Sequence, residues 1–201
     1  VVIEFKPWPK IARLNRDIVI TEKIDGTNAA IIIEPTTDPR LPDENAFVVN
    51  DGEHWWKVGA QSRTRLITPR SDNFGFARWV YDNAPALADL LGPGYHFGEW
   101  WGAGIQRRYG LDHKRFSLFN THRWGFADLA AVPQLDVVPI LYSGPFSDFW
   151  IERSLDALRN EGSLAAPAFK DPEGIVIHHH AANQMFKVTL VGDEAPKGAA
   201  A

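Results

Sequence analysis

Alternation of apolar and polar residues at a spacing of two dominates this chain. Val19–Lys23, Ala29–Glu34, Phe47–Asn50 and Trp55–Gln61 are rich in β-branched and aromatic residues and predict strands. Tyr95–Trp101 and Phe116–Asn120 predict buried strands, and Gly174–His178 and Gln184–Leu190 predict the last two. Helical spacing is rarer. Ser71-Asp72-Asn73 predicts a cap for a helix through Phe74–Asn83, with a second helical stretch to Leu91 stopped by Gly92-Pro93-Gly94. Phe146–Asn160 predicts a helix capped by Ser147 or Asp148, with Phe149, Ile151, Leu155 and Leu158 facing inward. Pro35–Glu44 is a Pro/Asp/Thr loop, and Gly192–Ala201 has the composition of a frayed end. Runs of strands with inserted helices, and no repeat or linker, predict one α+β domain over residues 1–201.

Composition narrows the class. With 201 residues, 45% of them apolar, the chain can bury a sizeable core. No run of eighteen apolar residues predicts a membrane span. No basic segment followed by an apolar one marks a signal peptide. Cysteine is absent, which removes disulfides and thiolate metal sites and suits a cytoplasmic protein. The net charge of −4 argues against a protein that lives by non-specific DNA binding, so any nucleic-acid contact must be local. Two basic clusters are candidates, each equally readable as a solvated face: Arg63, Arg65 and Arg70, and Arg107, Arg108, His113, Lys114 and Arg115.

Four strings carry the candidate chemistry. Glu22-Lys23-Ile24-Asp25-Gly26-Thr27-Asn28 sets a K-x-D-G sequence between two predicted strands. Taken alone, it is also an ordinary Asp-Gly hairpin with a solvated lysine. Phe97-Gly98-Glu99 leads into Gly104-Ile105-Gln106 and places one glutamate inside an apolar strand. Such a residue needs a partner, either a buried arginine or ligand hydroxyls. Glu173-Gly174-Ile175-Val176 puts a carboxylate before a β-branched run, as a turn entering a strand also would. Met185-Phe186-Lys187-Val188-Thr189 puts Lys187 and Thr189 on one strand face. Two shorter strings, Gln61-Ser62-Arg63-Thr64 and Phe116-Ser117-Leu118-Phe119-Asn120, read equally as a surface arginine and a core phenylalanine.

In order and spacing, from Glu22 to Lys187, these strings resemble the motifs of the covalent nucleotidyltransferases: DNA ligases, RNA ligases and mRNA capping enzymes. The Gly-Thr-Asn ending and the G-x-G-I-Q string resemble the RNA ligase 2 and editing-ligase branch. Asn28 stands where DNA ligases and capping enzymes carry arginine, which argues against a minimal DNA ligase or capping-type transferase. The resemblance implies an adenylation domain of two antiparallel β-sheets with flanking helices, an ATP-grasp-like ligase core. No appended OB-fold or helical C-terminal domain is visible, so the expectation is a bare adenylation domain, either natural or truncated, needing a partner or a missing domain for substrate.

The resemblance also implies roles. Lys23 is the nucleophile that takes AMP from ATP, with Asp25 and Lys187 in the catalytic set. A free lysine has a pKa near 10.4, so it must be activated by a cation or by desolvation. Glu22, Asn28, Arg63, Glu99, Phe119 and Lys187 would bind the nucleotide, with Glu99 on the ribose and Phe119 stacked on adenine. Glu173 would hold Mg2+ or Mn2+. Arg63, Arg65, Arg107, Arg108, Lys114 and Arg115 would touch RNA strand ends or nicks. The expected setting is a monomer in a bacterial or phage-infected cytoplasm, away from membranes. Two departures stand out: Asn120 replaces the usual aspartate, and Thr189 replaces the second lysine of K-x-K, for which Lys197 is a substitute from the tail. The lost lysine keeps open a nucleotide- or nick-binding module that no longer ligates. Three adjacent histidines, His178 to His180, alternate faces and predict a strand end rather than a zinc site.

Overall fold

The computed structural model describes residues 2–38, 40, 43–50, 52–125 and 129–193. Lys197 lies outside them. Two sheets carry the fold. The smaller runs in the order β11-β10-β1-β9, with β1 at Asp17–Lys23, β9 at Ile140–Pro145, β10 at Gly174–His179 and β11 at Gln184–Thr189. The larger runs β3-β4-β2-β6-β7-β8, with β2 at Thr27–Pro35, β3 at Ala46–Asn50, β4 at Trp55–Ser62, β6 at Gly94–Gly102, β7 at Lys114–Leu118 and β8 at Leu135–Val137. The short β5, Leu66–Ile67, pairs with β4. Every pairing is antiparallel except β7 with β8.

Each sheet buries one face under helices. α1 (Phe76–Asp82) and α2 (Ala84–Leu91) press Phe76, Trp79, Leu87 and Leu91 onto Ile31, Ile33, Val58 and Trp100 of the larger sheet. α3 (Asp148–Glu161) packs Leu155 and Leu158 on Ile18, Ile20, Ile175 and Ile177. Strand alternation then turns Lys23, Thr21, Asn28 and Glu99 to the helix-free faces. A third cluster (Ile24, Trp101, Tyr109, Val138 and Ala166) joins the two sheets at the link between β1 and β2.

Three sequence readings change. Phe149 is exposed, not inward, because residues two apart cannot share a helix face with Ile151; the buried stripe is Ser154, Leu155 and Leu158. The first helix starts at Phe76 behind Gly75, at φ 83°. Asp72 still caps it, accepting from the Ala77 and Arg78 N–H groups at 2.8 and 3.0 Å. β5, β8 and β9 escape the pattern because they are short or bracketed by prolines (Pro133, Pro139 and Pro145).

Candidate active site

The site assembles where β1 ends. Lys23 Nζ donates to Glu173 Oε2 at 2.6 Å, within an ion pair whose side chains are 24% and 19% exposed. Most of this lysine is therefore withdrawn from water, unlike the solvated lysine of a plain hairpin. Gly26 explains the glycine of K-x-D-G. A Cβ there would stand 2.5 Å from the Trp100 carbonyl oxygen and 2.8 Å from Trp101 Cβ, so the turn lies directly on β6. The Gly26 backbone in turn bonds Glu99.

Register sets the remaining neighbours. Asn28 stands opposite Glu99, and Glu99 opposite Ser117, on one face. Lys23 stands opposite Gly174, which stands opposite Thr189; two residues along, Thr21, Val176 and Lys187 align. Lys187 thus shares the face of Lys23, exposed and in the next row of that face. The position of the missing second lysine, Thr189, lies in the lysine's own row. Thr189 Oγ1 donates to the Val191 carbonyl at 3.1 Å, and its N–H to Asp193 Oδ1 at 2.9 Å, so its side chain is committed to the turn after β11.

Electrostatics single out the same residues. Burial pushes Glu99 up to about 7, against the pull of Lys23 and the Gly26 backbone, while Glu173 and Asp25 push further. Burial first, then Glu173, raises Asp25 above the ordinary carboxylate range, although Arg107 and Lys23 oppose this. Asp25, Glu99 and Glu173 therefore form an electron-rich cluster around one lysine. Among the described residues no group of three His, Asp or Glu side chains forms a ready cage. One or two carboxylates with water and phosphate is the usual holding of magnesium, and Asp25 and Glu173 fit that demand as hard oxygen donors.

Glu22, beside Lys23, is buried. Its Oε2 accepts from the Leu164 and Ala165 N–H groups at 2.8 and 3.0 Å, while Oε1 is buried with no partner. Burial raises its pKa above the usual range. Leu164 and Ala165 also line a cleft of about 590 Å³ with Pro139, Arg115 and Ser117. Phe119, 39% exposed, lies one residue past the end of β7 at Leu118. Asn120 accepts from the Arg123 N–H at 3.0 Å.

The basic clusters divide. Arg63 is exposed, one residue past β4 and close in the chain to Ser62, which pairs with Ala29. Arg65 donates to Ser71 Oγ at 3.0 Å. Arg108 is exposed and Lys114 half-buried. Arg115, by contrast, pairs with the buried Asp136 and lies 5.9 Å from the centre of the Trp101 ring. Arg107 is tied to Asp25 and Asp171. Both turn inward because each has acidic partners within the fold, so neither is the free surface cation that the cluster suggests. His179 is buried, its Nε2 2.7 Å from the Leu14 carbonyl oxygen, while His178 and His180 lie together with rings 5.0 Å apart. Sequence reasoning missed Tyr109, whose hydroxyl accepts from the Asp25 N–H at 2.8 Å. Its only signal was an aromatic residue in the loop after Gly104-Ile105-Gln106.

Two antiparallel-dominated sheets, each backed by helices, with a lysine at the end of β1 ringed by carboxylates, define a nucleotidyltransferase fold. The RNA ligase family model matches residues 16–189, and the chain belongs to that family. No curated protein matches it. Among solved structures, a Naegleria gruberi RNA ligase variant with ATP and Mn superposes with a TM-score of 0.55 at 18% identity, over 87% of this chain and 50% of that one. A second variant, with AMP and Mn, gives 0.55 at 18% over 88% and 50%. The chain thus spans about half the length of these proteins. No helix among the described residues is long and apolar enough to cross a membrane.

Proposed function

We propose that this chain is the adenylation domain of an ATP-dependent RNA ligase, joining 5′-phosphate to 3′-hydroxyl ends. The bond from Lys23 to Glu173, beside Asp25 and Glu99, carries the reading. Membership of the RNA ligase family and the nucleotide-bound state of the similar structures support it.

Three transfers follow. Lys23 Nζ, as free amine, attacks the α-phosphorus of ATP; an N–P bond forms and the bond to pyrophosphate breaks. A 5′-phosphate oxygen then displaces the lysine, forming a phosphoanhydride to AMP. A 3′-hydroxyl finally displaces AMP and forms the phosphodiester.

Glu173, 2.6 Å from Nζ, holds the lysine in place, and the positive charge of a bound metal ion and of Lys187 would favour its free amine. Asp25 and Glu173 would hold a magnesium or manganese ion, whose charge offsets the charge that develops on the phosphate. Lys187 and Arg63 supply further positive charge, Lys187 from the face of Lys23. Glu99 and Asn28, opposite each other, accept from and donate to the ribose. Phe119 stacks on the base. The buried, unpartnered Oε1 of Glu22 is suited to an exocyclic amino group, which adenine offers and guanine's 6-oxo edge does not.

Arg63, Arg65, Arg108 and Lys114 are the proposed contacts to strand ends. A further domain or partner supplies the rest of the grip, and the setting is cytoplasmic. Incubation with labelled ATP or GTP and magnesium tests the reading: label from ATP on Lys23 supports it, and no covalent label removes it. Thr189 in the row of Lys23 favours one other reading, a nucleotide- or nick-binding module that ligates poorly or not at all.

A further inference from the structure

The loop after β6 reaches both sides of the nucleophile. Arg107 Nε donates to Asp25 Oδ2 at 3.1 Å. Its Nη1 donates to the Asp171 carbonyl oxygen at 3.0 Å and meets Asp171 Oδ2 at 2.6 Å. Asp25 lies two residues after Lys23, and Asp171 two residues before Glu173. One guanidinium therefore ties together the two chain segments that bring Lys23 and Glu173 within 2.6 Å. The backbone that presents it is unusual: Gln106, Arg108 and Tyr109 all have positive φ, 43°, 60° and 52°. Non-glycine residues hold such angles only where surrounding structure over-determines them, and such positions cluster at functional sites. Tyr109 supplies that determination. Its ring is buried edge-on against Trp101, with centroids 4.9 Å apart, and its hydroxyl accepts from the Asp25 N–H.

We propose that Arg107 is a positioning residue for lysine adenylation: its fork clamps Asp25 and the Asp171 segment so that the carboxylates flanking Lys23 keep their spacing while the nucleotide binds. This rests on the ligase reading. A contact to the nucleic-acid backbone, which the basic cluster suggests, fits less well, since two edges of the guanidinium are already occupied and its side chain is 28% exposed. The task needs a planar fork. A lysine is a single point charge and cannot reproduce the two-sided grip on Asp25 and Asp171.

The test measures single-turnover transfer of labelled AMP to Lys23 for the wild type, Arg107→Ala, Arg107→Lys and Asp171→Asn, with thermal midpoints and ATP binding recorded for each. Both Arg107 variants should lose roughly ten- to a hundredfold in rate at saturating ATP. Their half-saturating ATP should stay within about threefold, the mark of a group that positions rather than binds. Asp171→Asn should give a smaller loss of the same kind. Wild-type rate in Arg107→Lys would overturn the clamp, because charge alone would then suffice. So would a loss confined to strand joining at low salt, which marks a nucleic-acid contact. A rate loss that disappears well below each variant's thermal midpoint would also overturn it, leaving only a structural brace. If the wild type takes up no label, the ligase reading itself fails; if it does and all the variants match it, only this inference fails.

Discussion

Lys23 and Glu173, 150 residues apart in sequence, meet at 2.6 Å. The register that makes this possible is the pairing of β1 with β10, where Lys23 faces Gly174. Gly174 has no room for a side chain, since a Cβ would collide with the Val188 carbonyl, so bare backbone lies between Lys23 and Thr189.

The first prediction concerns the nucleophile. After incubation with ATP and magnesium, mass spectrometry should find one added AMP on Lys23. Lys23→Ala should take up none. Labelling of that variant at the wild-type level would place the nucleophile elsewhere.

Removal of charge at the phosphate should be costly. Glu173→Ala and Lys187→Ala should each slow adenylation by roughly a hundredfold, the scale seen when a charge-stabilising group is lost. Circular dichroism checks that both variants fold. Near-normal adenylation in folded protein would reduce these residues to structural parts.

Glu99 should make stability depend on pH in a particular direction. Burial pushes its pKa up to about 7 in the folded state, above the ordinary glutamate value of 4.5. Between those values the folded state holds the proton more tightly than the unfolded chain, so stability falls as pH rises through that window. The deficit is complete above about 7. Thermal midpoints from pH 4.5 to 8 should therefore decline more for the wild type than for Glu99→Gln. Parallel profiles would contradict the burial that raises Glu99.

On the ligase reading, strand joining should prefer RNA on the 3′-hydroxyl side and weaken as salt rises, with a slope set by the number of ionic phosphate contacts the proposed basic residues make. Matched nicks carrying RNA or DNA at that end, sealed across a salt series, make the comparison. Faster sealing of the all-DNA nick would move the chain to the DNA ligase reading. Adenylation without sealing of either nick points to a domain that needs its partner.

Much of this was legible in the sequence, because strand alternation and local turn chemistry are properties of neighbouring residues. Eight of the eleven described strands, the α+β class and the strings around Lys23, Glu99, Glu173 and Lys187 could be read from spacing and residue type. β5, β8 and β9 could not, since two to six residues beside prolines leave too little periodicity. The partners were also hidden. Nothing local in Arg107-Arg108 or Arg115 says which arginine faces Asp25, Asp171 or Asp136 and which faces water. The unpaired oxygen of Glu22 and the hydroxyl of Tyr109 on the Asp25 turn depend on segments far away in the chain. Sequence determined which residues could do the chemistry; tertiary structure decided which of them meet, because desolvation and pairing are set by what packs from elsewhere in the chain.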